Sequence, residues 1–329
     1  MKVVILFFIF LAFGCSSNQS ESGDSVSSEA LLNEIIERME TESINRIDID
    51  WDDFREQVFE VANQPVTDSS KFHGYERSTL LAIRKALELL DDGHSIYRST
   101  YGQEFRSRVP NRSCIAPNPE VSDIPENIGY LKVSGTRAIS YEATGYSASL
   151  QNRIKEQDNE NTIGWIIDLR GNTGGNMTPM FAGLSSILGE VVTGYFIDPE
   201  GNKVMHEIVD NAFWIDGDPT HTLSEPMYEL INESPNVAVL IDNIVASAGE
   251  AVAVSFKKRP NTKFFGTQTC GISTANYGAP LSNGGMLILT VSTMADIEKE
   301  LYGGPILPDV LIEDPSEVVE QAVEWLYSL

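Results

Sequence analysis

Residues 237–256 read VAVLIDNIVASAGEAVAVSF. Val237–Ile241 form a continuous apolar run, the composition of a strand buried on both faces. The run stops at Asp242, a short loop follows, and SAGEAVAVSF then has the composition of a helix starting near Ser247. Strand, tight loop and buried helix make the unit from which α/β folds are built. Ser247 with Glu250 three residues on fits a capping box, in which the serine serves only the helix start. A helix N-terminus also has free backbone N–H groups and a positive dipole end, which favour negative charge developing beside a serine. Ala246, Ala248 and Gly249 leave room for a substrate. Taken alone, the stretch is compatible with a cap or a nucleophile.

A second stretch has the same design. WIIDLRGNTGGNM (165–177) carries a buried strand, Trp165 to Leu169, into a loop with adjacent Gly174 and Gly175. Adjacent glycines after a strand permit close backbone approach to a ligand, and their N–H groups can serve as oxyanion donors; the plain alternative is a glycine turn before a helix. The loop lacks the Lys-Ser/Thr of a phosphate loop and the spacing of a dinucleotide fingerprint.

A nucleophilic serine needs a base. The chain has four histidines, His73, His94, His206 and His221. His206 falls in an expected hairpin and His221 in a polar loop, both read as surface positions. His94, in LLDDGHSIYRS (89–99), sits at an element junction, where functional residues concentrate. Lys257 and Lys258 follow Ser247 on its own helix, about 15 Å along the axis at 1.5 Å per residue, so neither reaches it. Asp48, Asp50 and Asp52 lack the glycine and glutamate of a calcium loop and read as an acid-rich helix start. No cluster has zinc spacing, and no metal or other cofactor is expected.

Outward from these stretches, EALLNEIIERMETE (29–42), WDDFREQVFEVANQ (51–64) and RSTLLAIRKALELLDDG (77–93) carry apolar residues at three- and four-residue spacing, which predicts helices, the third capped at Gly93. Residues 95–127 hold Pro110, Pro117, Pro119 and Pro125 and read as an irregular connector. From 128, strand-like and helix-like segments alternate to the end, with a hairpin turning at Pro199–Gly201. The expected organisation is 29–94 helical, 95–127 connector and 128–329 an α/β core.

The 329 residues are 42% hydrophobic, enough for a sizeable core, and carry a net charge of −25. Nucleic-acid binding requires a basic footprint and is disfavoured. The opening MKVVILFFIFLAFGCSS pairs one lysine with an apolar run too short to span a bilayer, the pattern of an export signal over 1–15. Gly14-Cys15 before a serine-rich tether (16–28) resembles a bacterial lipoprotein cleavage site, although Phe13 is bulkier than usual there; simple secretion is the alternative. The reading places the protein on the periplasmic or envelope side of a membrane, anchored by lipid at Cys15. The remaining cysteines, Cys114 and Cys270, are 156 residues apart, and both a disulfide and two buried thiols stay open.

Taken in order, IGYLKVSG (128–135), DLRGNTGG (168–175), IDNIVASAGEAVA (241–253), FFGTQTCGISTAN (264–276) and YGGPILPDV (302–310) resemble the C-terminal processing, or tail-specific, serine peptidase family across roughly residues 30 to 315. By position the resemblance implies Ser247 as nucleophile and Ala248 with the Gly174–Gly175 segment as oxyanion donors. Many members use a Ser–Lys dyad with lysine in T-x-G-K; here Ile272 stands at that place, which rules the dyad out. A second branch, typified by tricorn core proteases and the nisin-resistance protein, takes a histidine from a segment similar to LLDDGHS, which implies His94 as base. Glu250, or an acid within Asp296–Glu300, is a candidate to orient it. The family also implies an α/β spiral core shared with Clp protease and crotonase, with the helical region as a cap, and residues 95–127 are too few for the PDZ domain of many members. The expected function is endopeptidase cleavage of extracytoplasmic peptides or proteins; the alternative is a catalytically silent peptide-binding protein on the same scaffold.

Overall fold

The computed structural model describes residues 26–65, 77–107, 114 and 123–329. The signal-like segment 1–15 with Cys15, most of the tether, His73 and much of 108–122 lie outside the described residues. No helix among the described residues is long and apolar enough to cross a membrane.

Three helices come first: α1 (Ser28–Glu42), α2 (Trp51–Ala62) and α3 (Arg77–Leu90). Ser27 caps α1 by accepting the N–H of Ala30. Asp50 caps α2 by accepting those of Asp52 and Asp53, as expected of an acid-rich helix start. α3 stops at Leu90, three residues short of Gly93, because Asp91 takes a left-handed φ of 48°. Two three-residue strands follow inside the expected irregular connector, β1 (Ile96–Arg98) and β2 (Glu104–Arg106). Elements this short show no alternation to read.

The chain then runs β3 (Ile128–Lys132), α4 (Ser140–Gln157), β4 (Gly164–Asp168), α5 (Thr178–Gly183), α6 (Ser185–Leu188), β5 (Val192–Ile197), β6 (Lys203–Val209), β7 (Ala212–Ile215) and β8 (Asp218–Thr222). After these come β9 (Asn236–Ile241), α7 (Ala248–Phe256), β10 (Thr262–Gly266), β11 (Thr274–Pro280), β12 (Met286–Ala295), β13 (Val310–Leu311) and α8 (Val318–Tyr327). The α/β class is as expected.

The described residues form two compact units. One comprises the helices, β1 and β2 together with Asp198–Glu200 and Ala275–Ser292; the other comprises the rest. In the first, Leu31, Ile35, Met39, Phe54, Ile83 and Leu87 pack with Leu287 and Leu289 of β12. β1 lies antiparallel between β2 and β12.

In the second unit, β13, β10, β9, β4 and β3 lie in that order in a parallel sheet. Every residue of β4 is buried, as are Val237–Ile241 of β9 and the whole of α7. α8 sets Val318, Val319, Ala322 and Leu326 against this sheet. At the β3 edge, the Gln157 side chain accepts the Tyr130 N–H (2.8 Å) and donates to the Tyr130 carbonyl (3.0 Å). β5 to β8 form an antiparallel meander, with the expected hairpin between β5 and β6. His206, expected on the surface, is 2% exposed. Its ring packs among Phe181, Phe196 and Phe213, its Nδ1 lies 2.7 Å from the Thr193 hydroxyl, and burial lowers its pKa to about 3.

Candidate active site

Parallel pairing of β4 with β9 brings their C-terminal loops side by side, the edge where open α/β sheets place ligands. At the end of β4, burial opposes the charge on Asp168, but bidentate Arg170, Lys132 and the Tyr130 hydroxyl hold its carboxyl below the usual range. This cluster fixes where the 171–176 loop begins. The two loops are then joined directly: the Asp242 carboxylate accepts the Gly171 N–H, and the Asn172 carbonyl accepts the Ala246 N–H at 3.0 Å. Asp242 also accepts the N–H groups of Ile244 and Val245, which turns the chain toward Ser247.

Ser247 precedes the first residue of α7 with φ 53° and ψ −118°. A serine that only caps a helix keeps an extended backbone. A positive φ on a residue with a Cβ costs on the order of 1–3 kcal/mol and persists only where its surroundings impose it. The surroundings are Glu250 and Gly174. Glu250 is fully buried and accepts four hydrogen bonds: Ser247 N–H (3.0 Å), Thr269 Oγ1 (2.5 Å), Gly271 N–H (2.8 Å) and Ile272 N–H (2.8 Å). Burial nevertheless pushes its carboxyl up to about 7. Four donors occupy the acceptor positions that two carboxylate oxygens offer, so Glu250, a candidate partner for histidine, is engaged as a brace under Ser247. Asp296, the start of the other candidate stretch, accepts from Glu298 N–H, Glu300 N–H and the Tyr302 hydroxyl.

Gly174 approaches Ser247 so closely that a β-carbon on it would meet Ala246 O at 2.7 Å, Ser247 Cβ at 2.9 Å and Ala248 N at 3.0 Å. Ser247, Ala248, Glu250 and Gly174 are therefore brought together. Gly175, the next residue, is exposed and bridges to Thr136.

Cys270 forms a disulfide with Cys114 and donates its N–H to Val245 O at 2.8 Å. The bond therefore anchors the segment whose Thr269, Gly271 and Ile272 hold Glu250. Ile272 contributes only its N–H there.

His94 stands in the first unit, half-buried. Its backbone is held on both sides: its N–H donates to Asp92 Oδ1 at 2.9 Å, and its carbonyl accepts from Asn276 Nδ2 at 3.2 Å. Asp92 also takes the Ser95 N–H and hydroxyl. Neither Asn172, Asp242 nor Thr269 was distinguishable in sequence. Asp242 and Asn172 bond backbone groups, and Thr269 the Glu250 carboxylate, of segments that only the fold brings near.

Comparison with known proteins identifies the family and the fold. Residues 127–312 match the model of Peptidase family S41. The chain is 27% identical over 270 residues to the nisin-resistance protein of Lactococcus lactis subsp. lactis, covering 82% of this chain and 80% of that one. Among solved structures it resembles a lipoprotein from Streptococcus agalactiae, with TM-score 0.73, 26% identity, and coverage of 95% of this chain and 99% of that one. The photosystem II D1 C-terminal processing protease shares the fold, with TM-score 0.57 at 15% identity over 91% of this chain and 97% of that one.

Proposed function

Because the chain belongs to peptidase family S41, we propose that it is a serine endopeptidase with Ser247 as nucleophile and His94 as general base. His94 takes the Ser247 hydroxyl proton as Oγ attacks a peptide carbonyl. The tetrahedral oxyanion is held by the Ala248 N–H, one of the N–H groups that a helix start leaves without an intrahelical partner, and by the Gly174–Gly175 segment. His94 then gives its proton to the leaving amine, and the acyl-enzyme is hydrolysed by a water that His94 deprotonates.

The observation that carries this reading is the strained Ser247 backbone at the start of α7, directly against Gly174. The substrates are peptides or proteins. The export signal, the lipobox-like Cys15, the disulfide and the similarity to a streptococcal lipoprotein support action outside the cytoplasm from a lipid anchor.

Labelling with a fluorophosphonate, followed by peptide-library profiling, tests the proposal. Wild-type protein labels and cleaves, while Ser247→Ala and His94→Ala do neither. Peptide binding without labelling or cleavage by the wild type would instead support a silent binding protein.

A further inference from the structure

Asn172 is fully buried, yet it touches every backbone segment of the candidate oxyanion site. Its Oδ1 accepts the Gly174 N–H at 2.8 Å, and its Nδ2 donates to Val133 O at 3.0 Å. Its carbonyl accepts the N–H of Ala246, the residue before Ser247, at 3.0 Å. Its side chain and carbonyl also lie under Gly249, where a β-carbon would come within 2.8 Å of Asn172 O and 3.0 Å of its Oδ1.

One consequence concerns the two glycines. Gly174 is buried and its N–H is already given to Asn172, whereas Gly175 is exposed. An amide bound inside its own loop is turned from an incoming oxyanion.

We propose that Asn172 is the positioning residue of the oxyanion site: by drawing the Gly174 N–H inward it presents Gly175 N–H, together with Ala248 N–H, as the donor pair. This inference rests on Ser247 being the nucleophile. Asn suits the position because one side chain must both accept from Gly174 and donate to Val133. Aspartate does both only while protonated; ionised, it sets a charge against the Val133 carbonyl.

The test is the rate at which a fluorophosphonate labels the full-length protein, since the phosphoryl oxygen occupies the same donor pair and no natural substrate is needed. Asn172→Ala is expected to lower the maximal labelling rate roughly 10- to 100-fold, the scale on which small misplacements act, with the half-saturating probe concentration within about twofold of wild type. Asn172→Asp is expected to label near the wild-type rate at low pH and to lose rate relative to wild type as pH rises. The inference is overturned if folded Asn172→Ala labels at the wild-type rate, or if the ratio of Asn172→Asp to wild type is flat with pH. Should the alanine variant not fold, that ratio decides alone. Labelling that survives in Ser247→Ala would instead refute the nucleophile assignment, a separate outcome.

Discussion

Gly174 and Ser247 are in such close contact that a β-carbon on the glycine would lie 2.9 Å from that of the serine. Gly171, three residues earlier, also has a positive φ (76°) but nothing within 4 Å of a β-carbon. The pair separates backbone strain from crowding. Gly171→Ala is expected to cost about 1 kcal/mol of stability and leave activity intact. Gly174→Ala is expected to lose about as much stability or more, and roughly 10²-fold in rate, because Ala246, Ser247 and Ala248 must move. Urea unfolding beside labelling kinetics reads both.

Ser247 itself holds a conformation that glycine adopts without strain. Ser247→Ala and Ser247→Gly should both abolish labelling. Ser247→Gly should unfold at a higher urea concentration than Ser247→Ala, because it sheds the β-carbon that makes the φ of 53° costly. Equal midpoints for the two variants would contradict the strain described for this residue.

Two buried groups predict opposite pH dependences. Burial lowers His206 from its ordinary 6.5 to about 3, so the folded state binds fewer protons than the unfolded state between those values, and stability falls as pH drops through that window. Burial raises Glu250 from 4.5 to about 7, so the folded state keeps a proton the unfolded state has released, and stability falls as pH rises from about 4.5 to 7. His206→Phe, which suits the surrounding aromatic rings, should flatten the acid limb of stability against pH. Glu250→Gln should flatten the limb between 4.5 and 7 and slow labelling, because an amide presents N–H groups to backbone N–H donors.

The disulfide joins residues 156 apart. Cys114→Ser, or reduction with a dithiol, is expected to cost about 2–5 kcal/mol. Thermal melts with and without reductant measure this. Labelling should weaken too, since Cys270 lies within the segment that braces Glu250.

The strands around the site were legible because Trp165–Ile167 of β4 and Val237–Ile241 of β9 are apolar runs, and α7 because a helix that is apolar on nearly every side, Glu250 apart, has to be buried. α4 was not legible: its buried face is Ala143, Ser147, Leu150 and Ile154, too small and polar to form a hydrophobic stripe. The serine, the glycine pair and the acid at 250 were legible as a set through their order along the chain. The work done by Glu250 was not, since its partners Thr269, Gly271 and Ile272 lie about twenty residues away and two of them act through backbone N–H. His206 was misread because alternation in a hairpin places a residue on a face without saying whether another layer covers that face. Nor could spacing decide whether Cys114 and Cys270 pair, which depends on the approach of two distant loops.

A parallel sheet ends in a row of backbone donors and acceptors that any extended chain can join. At β3 that invitation is declined from within, because the Gln157 amide supplies the donor and acceptor that a visiting strand would bring to Tyr130. A peptidase meets extended chains as a matter of course, and a sheet open along its whole edge would collect them where no cleavage can follow. One glutamine at the end of a helix thus occupies, at Tyr130, the pairing that an added strand would take.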